Sequence, residues 1–327
     1  MRLISVVTPI YNEEAVLPEL SRRLIKIASK IKRYDFEFIM VENGSVDSSY
    51  DVLQEISKED RRFKIVRLSK NFGCDGGISA GLTYAKGDAA VIMNADLQDP
   101  PEMIPSFIEK WEKGYDVVYG IIKKREGVSL LRNIFSPMFY QLIFFLTNGQ
   151  VPKNVSDFRL VDRAVYKTII QMPEHNRYLR GMFAWSGFKQ IGVTFVRPPR
   201  FMKGGELKDK TLFQRASNTF NFISNAVFLF SDFPLKVITG IGILTSLLSF
   251  AIGLYFLIPY LLFGKTQGFV QGHTSLVLII TFMFSVLFLC LGIIGEYISR
   301  IFEEVKRRPN FIIKNTKGFD NDSRGGI

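Results

Sequence analysis

The segment Asn94-Ala95-Asp96-Leu97-Gln98-Asp99-Pro100-Pro101-Glu102 follows a short apolar run, and its residue types and spacing suggest chemistry. A carboxylate at a strand end, followed by further oxygen donors at two-residue spacing, suits a hard cation such as Mg2+ or Mn2+. Such an ion keeps positions open for water and substrate phosphates, and would neutralise a departing diphosphate. The same residues also read as a capped turn, because Asp before Pro-Pro-Glu starts helices well. Two other polar clusters, Tyr11-Asn12-Glu13 and Glu42-Asn43-Gly44-Ser45, close earlier apolar runs in the same way. Three clusters at three strand ends point to one site.

The elements that must position these clusters alternate in type. The pattern predicts strands over Ile4–Thr8, Phe36–Val41, Lys64–Leu68, Ala89–Asn94 and Asp116–Gly120. Between them it predicts helices over Glu13–Ile31, Ser48–Asp60, Gly76–Ala85 and Pro101–Lys113. Alternating strands and helices imply right-handed crossovers, hence an α/β fold whose mainly parallel sheet has helices on both faces. Ligands of such sheets bind outside the carboxyl ends of the strands, where the polar clusters lie.

The 327 residues are 47% hydrophobic, with the apolar ones concentrated beyond Asp232. Leu235–Phe263 and Ser275–Ser299 are each long enough to cross a bilayer, which takes ~20 apolar residues. The connector Gly264–Thr274 carries one Lys, whereas Arg300, Lys306, Arg307, Arg308, Lys314, Lys317 and Arg324 follow the second stretch. The positive-inside bias then puts both termini in the cytoplasm and only the connector outside. Two helices cannot enclose a transport path, so they read as an anchor. Leu130–Leu146 and Thr211–Phe230 each fit an interfacial helix or a core helix. The expected division is a cytoplasmic catalytic domain over 1–210 with the 130–146 segment inside it, an interfacial helix over 211–234, two transmembrane helices over 235–299, and a basic cytoplasmic tail over 300–327. The net charge of +11 favours an anionic partner. The membrane is the nearer one, because no nucleic-acid-binding module is recognisable. The two cysteines, Cys74 and Cys290, form no disulfide framework, and the N-terminus lacks the pattern of a signal peptide.

The order of several motifs resembles family 2 glycosyltransferases of GT-A fold, specifically the GtrB-like polyprenyl-phosphate sugar transferases related to dolichyl-phosphate mannose synthases. They are Ser5 to Glu14, Val41 to Asp47, Leu68 to Gly73 with Ala80-Gly81, Ser156 to Leu160, Arg177 to Gly181, and Gly295 to Ile298. The resemblance covers nearly the whole chain. It implies that Pro9, Tyr11, Glu13 and Glu42 surround the nucleotide, that Asp96 and Gln98 bind the metal with Asn94 beside them, and that Asp157 sits by sugar and acceptor. It also implies that Arg132 helps hold phosphate. Lys203-Gly204-Gly205-Glu206-Leu207-Lys208 resembles the basic loop that closes over the diphosphate, with Arg200 or Lys203 in place of an absent Arg.

Three departures stand out. Asn94 occupies a position where the family usually has Asp, Glu42-Asn43 replaces Asp-Asp, and the basic loop has Met202 and Leu207 where Arg and a hydroxyl residue are expected. Cys74 reads as packing, and His175 and His273 have no second ligand near them in sequence. The activity implied is inverting transfer of a hexose, first of all glucose from UDP-glucose, to a polyprenyl phosphate on the cytoplasmic leaflet. Mannose and aminoarabinose donors are alternatives, as is a non-catalytic scaffold that only binds nucleotide sugar. Small-residue faces at Gly240-x-Gly242 and Gly292–Gly295 permit homo-oligomers.

Overall fold

A computed structural model describes residues 1–125, 155–175, 177–199, 238, 240–245, 247–248, 251 and 273–319. The chain divides into two units, Met1–Asn221 with Arg308–Ile327, and Phe222–Arg307. The expected segments 130–146 and 211–234 lie outside the described residues, as does most of Leu235–Phe263.

The first unit is built on strands β1 (Arg2–Ile10), β2 (Tyr34–Glu42), β3 (Phe63–Leu68), β4 (Ala89–Ile92), β5 (Val117–Arg125), β6 (Val155–Asp162), β7 (Gln190–Arg197) and β8 (Ile313–Lys317). Its helices are α1 (Leu17–Lys30), α2 (Ser49–Glu59), α3 (Gly73–Tyr84), α4 (Ile104–Glu112), α5 (Arg163–Gln171) and α6 (Leu179–Trp185). Eight strands form one sheet in the order β7-β5-β6-β4-β1-β2-β3-β8. The expected parallel arrangement holds across β4, β1, β2 and β3. Beyond them the sheet is mixed: β6 runs antiparallel to both β4 and β5, and β8 antiparallel to β3. With β7 parallel to β5, four of the seven strand pairings are parallel and three antiparallel, so the α/β sheet is mixed.

Local pattern explains these elements. β1 and β2 are near-continuous apolar runs because both faces of central parallel strands are covered, and Ile4, Val6, Val7, Ile39, Met40 and Val41 are fully buried. α1 buries Leu17, Leu20, Leu24 and Ile27, three or four residues apart, and has a Pro in its first turn. Burying each such side chain contributes roughly 1.5–3 kcal/mol. Aromatic rings complete the core: Phe38 meets Phe63 at 4.5 Å between centroids, and Phe107 meets Phe158 at 4.7 Å. The sheet therefore presents a rigid floor on which the loops after β1, β2, β3 and β4 are mounted.

In the second unit, α7 (His273–Val305) contains the expected second apolar stretch and runs past it. Phe282–Val305 is long and apolar enough to cross a membrane, with a mean hydropathy of 1.9. Phe282, Phe288, Leu291 and Ile298 project outward from it. Arg300 and Glu296 pair along one face at 2.8 Å.

The chain then re-enters the first unit, where the segment read from sequence as a basic tail supplies β8. Ser69 N–H donates to Ile312 O at 2.9 Å, and the Phe319 ring packs on Tyr84 at 4.9 Å.

Candidate active site

The loops after β1 and β2 are locked to each other. Asn12 adopts a positive φ of 56°, a conformation that Asn tolerates better than most residues. From there its N–H donates to Ser45 Oγ at 3.1 Å, while its Oδ1 accepts from Val46 N–H at 2.9 Å. Glu13 N–H donates to Ser49 Oγ at 2.9 Å, and Glu14 Oε2 accepts from Ser48 N–H at 2.8 Å. Glu42 is fully buried beneath this clasp. One of its oxygens accepts from Ser45 N–H and the other from Arg67 Nε at 3.0 Å. Asn43 extends the clasp to the loop after β3, donating to Gly73 O at 2.8 Å and accepting from Phe72 N–H at 2.9 Å. Gly44 has φ of +71°, and a Cβ there would lie 2.5 Å from the Lys70 carbonyl carbon. Only glycine lets the two loops approach this closely.

After β4 the segment alternates. Ala95, Leu97 and Asp99 are buried, whereas Asn94, Asp96 and Gln98 are half-buried. Of the three residues predicted to bind metal, Asn94 and Asp96 line one cleft, and Gln98 is not among its lining residues. Asp99 is fully buried behind them. It accepts from Asn94 N–H at 3.2 Å, Asn94 Nδ2 at 3.0 Å and Ser156 Oγ at 3.1 Å, with Arg197 at 4.0 Å. Burial pushes its carboxyl pKa up, against the pull of Arg197. An Asp at position 94 would face Asp99 with like charge, whereas the Asn94 amide donates to it. Gln98 likewise spends its amide donor, on Pro198 O at 3.5 Å. The Asp96 carboxylate accepts through Oδ1 from the Gln98 backbone N–H at 3.1 Å. One carboxylate with two neutral oxygens fits a Mg2+-type site completed by water and substrate phosphates. Among the described residues no group of three or more His, Cys, Asp or Glu is arranged to hold a metal ion.

A cleft of about 270 Å³ unites these loops, lined by Pro9, Tyr11, Glu13, Asn43, Asn71, Cys74, Asn94 and Asp96 among others. β6 contributes Asp157 nearby, which Arg180 of α6 grips through a two-pronged ion pair. Burial alone would raise the Asp157 carboxyl, but Arg180, helped by Arg159 and Arg197, holds it below the ordinary range. Arg159 sits over the Phe183 ring at 4.7 Å and donates to the carbonyls of Ser156 and Asp157. Desolvation brings its pKa down to about 10, so it stays charged at neutral pH. On α3, desolvation and the Asp157 charge push the Asp75 carboxyl up to about 7. The Cys74 thiol is raised by the same two influences, with Asp75 adding to them. It remains protonated and meets Asn94 Oδ1 at 3.7 Å. Its chemistry is that of a weak donor, not of a nucleophile.

Residues 5–170 match glycosyl transferase family 2. The chain belongs to that family. Over 317 residues it is 39% identical to an uncharacterized glycosyltransferase of Synechocystis sp., covering 97% of this chain and 96% of the relative. A bactoprenol glucosyl transferase of Shigella phage SfV is 33% identical over 96% of this chain and 99% of its own. A prophage bactoprenol glucosyl transferase homolog of Escherichia coli K12 is 32% identical, with the same coverage. The protein is a glycosyltransferase.

In this family 2 enzyme, Pro9, Tyr11, Glu13, Asn94 and Asp96 meet at one cleft. Glu42 does not line it: both carboxylate oxygens are used inside the loop clasp, so the residue shapes the cleft from beneath. Arg132, Arg200, Lys203 and Lys208 lie outside the described residues. Three residues absent from the predicted site belong to its structure: Asp75, Asp99 and Arg180. Asp99 stands inside the segment first singled out, but nothing in the sequence sets it apart from Asp96. Arg180 stands inside the Arg177–Gly181 motif, but nothing in the sequence pairs it with Asp157. Asp75 has no sequence signal beyond its place at the start of a helix.

Proposed function

We propose that this transferase moves glucose from UDP-glucose to a polyprenyl phosphate at the cytoplasmic leaflet, inverting the anomeric carbon. The observation that carries the proposal is the meeting of four strand-end loops at one cleft, next to an ionised Asp157, in a chain whose near-full-length relatives include proteins named bactoprenol glucosyl transferase. Pro9, Tyr11 and Glu13, on loops locked by Asn12 and Ser45, hold the nucleotide. Asn94, Asp96 and Gln98 hold Mg2+ or Mn2+, which when bound supplies positive charge to the leaving diphosphate. By family resemblance Arg132, Arg200, Lys203 and Lys208 contribute further positive charge there.

A phosphate monoester is largely ionised near pH 7, so the acceptor attacks without a strong general base. Its oxygen forms the bond to the anomeric carbon as the bond to the nucleoside diphosphate breaks. Asp157, kept anionic by Arg180, stabilises positive charge growing at that carbon and orients the sugar. Catalysis rests on positioning and electrostatics. A lipid acceptor also explains why an apolar helix accompanies the catalytic unit, with Leu235–Phe263 as its companion span.

The test incubates membranes carrying the protein with radiolabelled UDP-glucose, GDP-mannose or a UDP-aminoarabinose and extracts the lipid phase. Acid-labile, β-linked lipid label from UDP-glucose is the expected result. Label from another donor reassigns the sugar. The scaffold reading rests on Asn94, and would be supported by purified protein that binds nucleotide sugar yet labels no lipid.

A further inference from the structure

We propose that Asp99 is a positioning residue for the divalent cation: its buried carboxylate turns the Asn94 amide so that the oxygen, not the NH2, faces the cleft. The inference rests on the metal reading above. An Asn side chain ends in an oxygen and an NH2 of nearly equal size, and half a turn exchanges them. Which end meets a cation is decided by what bonds the other. Here Asn94 Nδ2 donates to Asp99 Oδ2 at 3.0 Å, while Asn94 Oδ1 accepts from the Cys74 thiol at 3.7 Å. Cys74, Asn94 and Asp96 line the cleft, whereas Asp99 is fully buried. The nitrogen is thus held toward the interior and the oxygen toward the cleft wall.

Asp99 enforces this choice because the oxygen it presents is already an acceptor. Oδ2 also takes the Asn94 backbone N–H at 3.2 Å, so an Asn94 oxygen turned toward it would meet a second acceptor. Oδ1 accepts from Ser156 Oγ at 3.1 Å, and that hydroxyl oxygen in turn accepts from Phe158 N–H at 3.3 Å. Arg197 lies at 4.0 Å, at the end of β7. The carboxylate is therefore fixed by the loop it serves, by β6 and by β7. The loop also carries strain. Buried Leu97, between Asp96 and Gln98, has a φ of 57°, a costly conformation for a bulky side chain. Such residues persist where surrounding bonds over-determine them, and the bonds of Asp99 to both ends of Asn94 close this turn.

The test measures Mn2+ binding to the full-length protein in the presence of UDP, by paramagnetic resonance of the free ion, so no lipid acceptor is needed. Asp99→Leu keeps the branched shape and removes both acceptors. Asp99→Asn keeps an oxygen for Asn94 Nδ2 and turns its own NH2 to Ser156 Oγ, which can accept it. Asp99→Leu is expected to weaken Mn2+ binding about tenfold or more, the scale of losing a group that orients a metal ligand. Metal-free UDP affinity stays within about twofold, and Asp99→Asn binds Mn2+ within about threefold of the wild type. In an Asn94→Ala background there is no amide to turn, so Asp99→Leu costs less than about twofold more.

Wild-type Mn2+ affinity in Asp99→Leu, or an equal loss in Asp99→Asn, would overturn the assignment. So would fully multiplicative losses with Asn94→Ala, or UDP affinity lost in step with Mn2+, because either means that Asp99 only holds the loop together. Should Asp99→Leu lack a cooperative melt, Asp99→Ala, which adds no bulk, carries the same expectations. Asp96→Ala separates this role from the metal reading itself. Undiminished Mn2+ binding in that variant overturns both, whereas loss there with none in Asp99→Leu overturns the role of Asp99 alone.

Discussion

At the residue scale, the proposed metal site depends on one carboxylate. Asn94 and Gln98 have their amide donors engaged on Asp99 and Pro198, so Asp96 brings the one formal charge of the trio. Removing it in Asp96→Ala is expected to cut sugar transfer at least about 100-fold with excess Mn2+, since the charge offset it supports is worth several kcal/mol. UDP binding should weaken less, because Tyr11 and the clasped loops remain; full activity of the variant would refute the metal assignment. A second expectation concerns pH. Asp75 has a folded-state pKa raised to about 7, through desolvation first and the Asp157 charge second. A carboxyl raised in this way binds its proton more tightly in the folded than in the unfolded chain. Stability therefore falls as pH rises from the unfolded value toward 7 and stays lower above it. Because the group is partly open to solvent, the loss at pH 8 relative to pH 4 is set at about 2 kcal/mol. Asp75→Asn lacks this titration, so its melting temperature should exceed that of the wild type by several degrees at pH 8 and match it near pH 4. Parallel melting curves at both pH values would count against the raised pKa.

At the element scale, the loops after β2 and β3 behave as one piece because Gly44 lets them touch. Gly44→Ala places a Cβ against the Lys70 backbone at a φ of +71°. Strain of this kind costs about 1–3 kcal/mol, and the displaced loop carries Asn43 and its bonds to Phe72 and Gly73. The variant should melt lower and bind UDP-glucose several-fold more weakly by calorimetry, whereas wild-type affinity would show that the contact is not needed. How legible an element is in the sequence follows the source of its order. β1 to β4 and α1 to α4 are fixed by their own apolar pattern, as in Ile4–Ile10 or Leu17–Leu20–Leu24–Ile27, and sequence alone locates them within a few residues. β6 is different. Val155-Ser156-Asp157-Phe158-Arg159 mixes charges with apolar residues, and its strand exists because Leu160 and Arg159 find antiparallel partners on β4 and β5. β8, Ile313-Lys314-Asn315-Thr316-Lys317, is polar because it lies on an edge, where lysines blunt further pairing. The cleft follows the same rule. Its rim of Tyr11, Glu13, Asn94 and Asp96 is local in sequence, while the ties of Glu42 to Arg67, Asn94 to Asp99 and Asp157 to Arg180 are made by tertiary contact.

At the scale of the whole molecule, β8 constrains how the chain can lie in a membrane. The strand pairs with β3, so the residues that follow α7 lie on the same side of any bilayer as the catalytic sheet. If α7 crosses the bilayer, His273 at its other end faces the opposite side. The chain leaves the sheet after Arg197 on the catalytic side, so it must cross an odd number of times before His273. One crossing is the smallest such number, and Leu235–Phe263 is an apolar run of sufficient length for it. On that condition, a single crossing by Leu235–Phe263 would put the basic residues after α7 on the side the positive-inside bias prefers. The expectation is checked with single cysteines in a Cys74→Ser, Cys290→Ala background. In intact cells a membrane-impermeant maleimide should label Lys265→Cys, in the connector, and leave Lys314→Cys, on the edge strand, unlabelled until the membrane is opened. Labelling of both in intact cells, or of neither, would mean that α7 does not cross, and β8 would then tie a surface-bound helix to the enzyme.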